Sequence, residues 1–292
     1  PRIIHFVQNH HRKLIIVLLN LFRDQLDRYG EVDSIVKKWQ DALRNFSGTL
    51  ILNSDDPQIA SLGNGKTIYF GLNDQKLFRK IPEHAMDSQF CPVCGQRLNY
   101  AGTFYSHLGI WDCKNCGFSR PKTDLPHWSN WANLKGVYNR YNVLAAVLTV
   151  KTLGFKDEII NKVLGSFKPA FGRQEEIGKA KIFLSKNPAG FNESLRTVIE
   201  LRAENILFSL NDRIPDGRDV SWIWDVDFEM LPKKINLFAM GDRVYDLALR
   251  LKYAGRETKI VKEIPDIANL YILATYSAML EIRKKLTGRK IL

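Results

Sequence analysis

The 292-residue chain contains four cysteines, Cys91, Cys94, Cys113 and Cys116, and nothing constrains its fold more than their spacing, C-x2-C-x18-C-x2-C. Each CxxC turn can put two sulfurs on one tetrahedral ion, and this spacing is that of a four-thiolate zinc ribbon. Gly95 and Gly117 follow the second cysteine of each pair, where a tight knuckle turn tolerates little bulk. Four thiolates fill the coordination sphere of zinc, so the expected site is structural and holds no reactive water. If all four bind metal, no thiol is left to act as a nucleophile. No export signal can be read in the sequence, and paired CxxC motifs then favour metal over disulfides and a reducing, cytoplasmic setting.

Around this block the pattern is α/β. LIIVLLN at 14–20, GTLILN at 48–53 and KTIYFGL at 66–72 are short apolar runs of strand length, as in a parallel sheet buried on both faces. SIVKKWQDALRNF at 34–46 has helical spacing, and residues 141–155 and 156–167 read as two further helices. A second α/β series starts near Ala180, with strands at 181–185, 205–211 and 235–241 and helices at 192–204 and 242–255. TKIVKEI at 258–264 and an amphipathic helix over 266–286 complete it. Residues 168–178 are the expected linker. The domains are therefore expected at 1–167, with the ribbon inserted at 88–122, and at 179–292. No apolar run reaches the roughly 20 residues of a membrane span.

The net charge of +12 attracts phosphate, whether in nucleic acid, nucleotides or lipid headgroups, although a solvated basic surface gives the same count. LGNGKT at 62–67 carries the Gly-Lys-Thr of a phosphate loop, but Ala60 stands where that loop has its first glycine. The stretch also leads into a strand instead of opening a helix, so it reads as a turn. NLFRDQLDRYGE at 20–31 leaves the first strand at its C-terminal end, where open α/β sheets bind ligands. Asp24 and Asp27 there suit a metal–nucleotide site or a helix cap. LNDRIPDGRDVSWIWDVDFE at 210–229 packs Asp212, Asp216, Asp219, Asp225 and Asp227 with two tryptophans and two arginines into one loop. Such a loop suits function better than simple solvation. Tyr100, Phe104, Tyr105, His107 and Trp111, between the cysteine pairs, could stack on bases, which by itself suggests a basic zinc-ribbon module that binds nucleic acid.

Six segments, in order along the chain, carry a resemblance: LLNLFRDQLDRYGEV, LNSDDP, GVYNRYNVLAA, FGRQEEI, KNPAGFNE and LNDRIPDGRDVSWIWDVDFE. They resemble the MurT family, the Mur-ligase-like subunits of lipid II isoglutaminyl synthase. The resemblance implies an α/β, Mur-ligase-like fold: a partial central nucleotide-binding domain with an inserted four-cysteine zinc ribbon, then a Rossmann-like C-terminal domain. It implies a cytoplasmic ligase subunit of peptidoglycan synthesis, working at the inner face of the cell membrane on membrane-anchored lipid II. With ATP and magnesium, such a subunit phosphorylates the α-carboxylate of D-glutamate in the stem peptide. Ammonia from a GatD-type glutaminase partner then displaces the phosphate to give D-isoglutamine. The chemistry agrees with the residues. An acyl phosphate needs magnesium and cationic groups, and ammonia drawn from glutamine needs a cysteine nucleophile, which this chain must leave to its partner. Nucleic acid is not expected as a partner.

Position by position, the resemblance puts Asn139 and Asn142 where Mur ligases hold adenine. It puts Arg173, Asp212 and Arg213 where the C-terminal domain closes over ribose and phosphate. Asp24 and Gln25 fall where a ligase has its Asp-His metal pair, with Gln in place of His, and Lys186 and Asn187 fall in a substrate-facing turn. DVSWIWDVDFE has no counterpart in ordinary Mur ligases. An aspartate there, Asp225 first and Asp227 second, is expected to orient the partner's catalytic histidine, as a carboxylate fixes the imidazole tautomer in a triad. The family's phosphate loop and a metal-binding glutamate belong upstream of the first strand. The chain opens at Pro1, so a preceding segment is expected to be missing, and the chain alone is expected to bind ATP weakly and to lack synthase turnover. An ordinary Mur ligase that adds an amino acid fits Gln25 and the extra loop less well.

Overall fold

The structure is a computed structural model that describes residues 14–24, 30–80, 83–131, 134–167 and 173–288. The chain divides into two units, one of Pro1–Arg23 with Gly30–Phe167, the other of Asp24–Tyr29 with Lys168–Leu292.

In the first unit, strands β1 (Ile15–Leu18), β2 (Thr49–Asn53) and β3 (Thr67–Phe70) form a parallel sheet in that order. The central strand owes its place to Leu50, Ile51 and Leu52, each fully buried. Burial of such a side chain stabilises by about 1.5–3 kcal/mol. Helix α1 (Val32–Leu43) connects β1 to β2. It turns Val32, Val36 and Leu43 onto the cluster that holds Leu50 and Leu52, and leaves Lys37 and Lys38 in solvent. The exit of β2 turns at once into the short helix α2 (Pro57–Ala60). Asp56 caps it by accepting from the Gln58 and Ile59 N–H groups, and Pro57 takes the first helical position. LGNGKT then joins α2 to β3, the connection of a turn. The ribbon is built on an antiparallel hairpin, β4 (Asn99–Tyr105) and β5 (Leu108–Asp112). Helix α3 (Val137–Thr152) packs against all three strands of the parallel sheet, and α4 (Asp157–Ser166) packs against α3.

The second unit is a six-stranded sheet of β6 (Arg173–Ile177), β7 (Ala180–Leu184), β8 (Asn205–Ser209), β9 (Asn236–Met240), β10 (Lys259–Ile260) and β11 (Leu270–Ala274). Its order is β10-β9-β8-β11-β7-β6, parallel except where β6 pairs with β7. Helices α5 (Pro188–Glu200) and α6 (Val244–Tyr253) cover one face through Phe191, Leu195, Leu247 and Leu251. Helix α7 (Tyr276–Thr287) covers the other through Ala278, Met279 and Ile282. This is a doubly wound, Rossmann-like sheet.

Two expectations are corrected here. Residues 266–286 are not one helix: Leu270–Ala274 is β11, buried throughout and hydrogen-bonded in parallel to both β7 and β8. LYILA offers an apolar face for a helix equally well. The neighbours on both sides decide for a strand, since a central parallel strand needs an unbroken apolar run. Arg173–Ile177, expected within a linker, is the edge strand β6. Of the remainder of that linker, 168–172 lies outside the described residues and Gly178 lies in the turn between β6 and β7.

Candidate functional site

The hairpin brings the four cysteines together. The Sγ atoms of Cys91 and Cys116 lie 3.6 Å apart, those of Cys94 and Cys113 lie 3.5 Å apart, and all four fall within 4.8 Å of one another. A tetrahedral zinc with Zn–S bonds of about 2.3 Å separates its sulfurs by about 3.8 Å, so the donor set fits such an ion. The two knuckles are alike. Gly95 N donates to Cys91 O at 2.9 Å and Gly117 N to Cys113 O at 3.0 Å, with both glycines at positive φ, +76° and +77°. The Gln96 N–H aimed at Cys94 draws that thiol down to about 6, while burial holds Cys91 up, and Cys116 is also raised, its Phe118 N–H being outweighed by burial and the neighbouring thiols. Leu98 and Trp111 back the knuckles against Ala60 of α2.

The rings between the knuckles are not arranged to receive bases. Phe104, Tyr105, His107 and Trp111 are buried, and the half-buried Tyr100 donates its hydroxyl to Ser88 O at 2.7 Å. The nucleic-acid reading of the ribbon loses its stacking platform.

Two adjacent aspartates at the C-terminal end of β2 are the hubs of the first unit. Asp55 Oδ1 accepts from Arg120 Nε at 2.6 Å, and Oδ2 accepts from Leu72 N at 2.8 Å and from the Tyr141 hydroxyl at 2.7 Å. Burial raises the Asp55 carboxyl above the usual carboxylate range, and the Arg120 charge opposes that rise. Asp56 Oδ2 accepts from Leu21 N at 2.8 Å and faces His107 Nε2 at 3.3 Å. One carboxylate thus ties together the exits of β2, β3 and the ribbon with α3. The other joins the exit of β1 to the turn of the ribbon hairpin.

On α3, Asn139 Nδ2 donates to Lys135 O at 2.7 Å and Asn142 Nδ2 donates to Asn139 Oδ1 at 3.2 Å. Their neighbour Arg140 pairs with Asp74 at 3.0 Å and lies over the Trp131 ring at 5.2 Å.

In the second unit, polar residues collect where the parallel strands end. Lys186 and Asn187 follow β7; Asn187 caps α5 by accepting from Gly190 N at 2.8 Å, and Lys186 Nζ lies 2.6 Å from Asp24 Oδ2. Asp212 and Arg213 follow β8. Asp212 pairs with Arg243 at 3.0 Å, while Arg213 pairs with Asp242 at 2.8 Å and with Glu281. Beneath them the buried Asp216 accepts from Ser277 N and Oγ at 2.7 and 2.5 Å. The loop then runs through two short 3-10 turns, Ser221–Asp225 and Phe228–Met230. The buried Asn192 of α5 holds it by two hydrogen bonds to Asp227, its Nδ2 donating to Oδ2 at 3.0 Å and its Oδ1 accepting from the amide at 2.8 Å. Arg250 of α6 holds it from the other side, donating to Val226 O at 2.6 Å and to Glu229 at 2.8 Å, with Phe228 5.4 Å away. Asp225 is half-buried beside the exposed Trp224.

Residues 184–279, which include this loop and the strand ends, match the family described as MurT ligase C-terminal. A lipid II isoglutaminyl synthase (glutamine-hydrolyzing) subunit MurT from Streptococcus pneumoniae is 33% identical to the chain, over 95% of the chain and 70% of that protein. The chain belongs to the MurT family. The MurT subunit of Staphylococcus aureus is likewise 33% identical, over 85% of this chain, and the match spans 62% of that relative's length. The pseudomurein peptide ligase type C of Methanothermus fervidus superposes with a TM-score of 0.70 at 21% identity, covering 94% of this chain and 63% of that one. That likeness places the fold among the Mur-ligase-like α/β proteins.

Within this MurT chain, the C-terminal match contains Lys186, Asn187, Asp212, Arg213, Asp225 and Asp227. The first four gather at the strand ends, Asp225 and Asp227 lie on the buttressed loop, and Arg173 stands exposed on β6. Gln25 and Asp27 fall outside the described residues. Sequence reasoning missed Asp55, Asp56, Arg120, Tyr141, Asn192 and Arg250. LNSDDP was visible as a motif, but Leu72, Arg120, Tyr141, Leu21 and His107, which meet its two aspartates, lie far from it in sequence.

Proposed function

We propose that this chain is the ATP-dependent, amide-forming part of a lipid II isoglutaminyl synthase, which activates the α-carboxylate of D-glutamate for attack by ammonia from a GatD-type glutaminase. The observation that carries the reading is the loop at 210–229, held from both sides by Asn192 and Arg250 within the segment that matches the MurT C-terminal family. Asp225, half-buried beside the exposed Trp224, is the proposed carboxylate for the partner's histidine, where it would fix the imidazole tautomer and stabilise its charge. Trp224 next to it meets Tyr253 edge to face, with centroids 5.5 Å apart. Tyr245, Leu249 and Tyr253 extend the exposed apolar surface along one face of α6, which suits a protein partner.

Zinc is the proposed ion of Cys91, Cys94, Cys113 and Cys116, as a brace for the first unit. For ATP and magnesium, Asn139 and Asn142 are the proposed adenine contacts. Asp24, Arg173, Asp212 and Arg213 are the proposed contacts to magnesium, ribose and phosphate. Nucleotide phosphates supply the leaving group when bound, and Arg213 would exchange a carboxylate partner for phosphate, a bidentate match its guanidinium suits. The proposed place of action is the cytoplasmic face of the membrane, where lipid II presents its stem peptide. Among the described residues no helix is long and apolar enough to cross a membrane.

The test is amidation of a soluble lipid II analogue by the full-length subunit with its glutaminase, followed by mass spectrometry. Product that requires ATP and glutamine together supports the reading. Addition of an amino acid, or no product from a folded complex, refutes it.

A further inference from the structure

The turn of the ribbon hairpin is Ser106-His107, and it lies in the protein interior with both residues fully buried. Ser106 adopts φ +49°, a left-handed conformation that L-residues seldom take, and three contacts hold it there. Its N–H donates to Glu83 Oε1 at 3.1 Å, its hydroxyl donates to Ala85 O at 2.5 Å, and β4 and β5 close the turn by pairing Tyr105 with Leu108. The turn thereby drives the His107 ring against Phe22, with centroids 4.9 Å apart.

Three carboxylates surround this point. Glu83 pairs with Arg79 at 2.6 Å, Asp87 pairs with Arg23 at 2.9 Å, and Asp56 faces His107 at 3.3 Å. With the three acids ionised beside two arginines and one imidazole, the group is neutral when His107 is an imidazolium. Nε2 approaches Asp56 Oδ2 at 3.3 Å outside hydrogen-bond geometry, and Nδ1 meets no hydrogen-bond partner among the described residues. A neutral ring buried here would gain little from that approach, whereas a charged ring compensates Asp56. The electrostatic balance agrees. Burial by itself lowers the imidazole pKa, but Asp56, Asp87 and Glu83 outweigh it and the net shift is upward.

Asp56 and Asp87 also hold backbone. Asp56 accepts from Leu21 N at 2.8 Å and Asp87 from Arg23 N at 3.0 Å. These two amides belong to the segment that leaves β1 at the ligand-binding end of the sheet, immediately before Asp24. We infer that His107 is a positioning residue: carried in on the ribbon hairpin, its imidazolium holds Asp56 and Asp87 together so that they clamp the Leu21–Arg23 backbone behind Asp24. The ribbon then has a task beyond bracing, since it delivers the cation on which that strand exit depends. The further step from clamp to catalysis rests on the ligase reading above. The clamp itself does not.

Two measurements test it on the protein with its metal bound. The first needs no substitution: imidazole nitrogen and carbon shifts of His107 are followed by NMR across pH. A ring that stays doubly protonated above the ordinary imidazole range, about pH 6.5, is expected, and a ring already neutral at or below that pH overturns the inference. The second is amide exchange in wild type and in His107→Gln. Without the cation, Asp56 and Asp87 repel across a buried gap, and protection at Leu21 and Arg23 is expected to fall by about tenfold or more, the equivalent of one charged hydrogen bond. Protection of the knuckle amides of Cys91 and Cys113 is expected to stay as in wild type, and His107→Lys is expected to restore part of the loss. Unchanged protection at Leu21 and Arg23, or a loss spread evenly over the ribbon, overturns the clamp. Neither readout uses nucleotide, partner or turnover, so failure here leaves the ligase reading standing, and failure of that reading leaves the clamp.

Discussion

Arg120 Nε lies 2.6 Å from Asp55 Oδ1, and both side chains are almost wholly out of solvent. The contact joins the strand of chain that leaves the second cysteine knuckle to the residue that leaves β2. It makes the ribbon part of the parallel unit's core instead of an appendage on it. Arg120 also donates to Leu72 O at 3.0 Å, so one guanidinium spans the exits of β2 and β3.

Arg120→Met should therefore be among the most costly single changes in the first unit. It leaves a buried carboxylate without its countercharge, a loss of about 3–5 kcal/mol. Tyr141→Phe removes one hydrogen bond to the same carboxylate and should cost about 1.5–3 kcal/mol. Adding Asp55→Asn to Arg120→Met should recover part of the loss, because the charge that needed compensation is gone. Urea denaturation of the four proteins measures this order, and a Tyr141→Phe loss larger than that of Arg120→Met would count against it.

Removal of the metal should be felt in the core behind the knuckles. Purified protein is expected to carry one zinc, and Cys91→Ser or Cys113→Ser to lose it, as read by elemental analysis. Stripping the metal with a chelator should expose Trp111, which packs on Phe118 with centroids 5.0 Å apart, and shift its emission to longer wavelength. The second unit should keep its protease resistance throughout.

Arg250→Leu should release the loop it fastens. The variant loses hydrogen bonds to Val226 O and Glu229, at about 1.5–3 kcal/mol for bonds to a charged group. Limited proteolysis should show new cleavage within residues 213–230, with the sheet core intact. Asn192→Ala should do the same from the α5 side.

The His107 environment predicts a direction for stability against pH. The folded imidazole has its pKa raised above the unfolded value of about 6.5. Its contribution is therefore complete below about pH 6.5 and is lost as pH rises through the folded value. Asp87, raised by burial against the charge of His107, acts in the same direction at lower pH. The denaturation midpoint of wild type should fall as pH rises above about 6.5 more steeply than that of His107→Gln.

Some of this was legible in the sequence because the chemistry sits in the motif itself. Two CxxC pairs imply four sulfurs on one ion, and LILN before SDDP implies a buried strand. LYILA was misread because an apolar run of five does not reveal whether strands will lie on both sides of it. The hubs were invisible for a related reason. Asp55 meets Tyr141 across 86 positions and Arg120 across 65, and His107 reaches Asp56 only because a hairpin folds inward. Asp225 already ranked ahead of Asp227 in the sequence. Asn192, on a helix that precedes it, engages Asp227 at both its amide and its carboxylate, a contact across 35 positions that no motif announces.

The most direct measurement of the central claim is glutamine hydrolysis by the cognate glutaminase, with and without this chain, comparing wild type with Asp225→Ala and Asp227→Ala. It requires neither lipid substrate nor nucleotide. The account predicts that wild type stimulates hydrolysis, that Asp225→Ala binds the glutaminase equally well without stimulating it, and that Asp227→Ala stimulates less through a loosened loop. A folded wild-type chain that binds the glutaminase but leaves hydrolysis unchanged, or an Asp225→Ala variant that stimulates as wild type does, would contradict it.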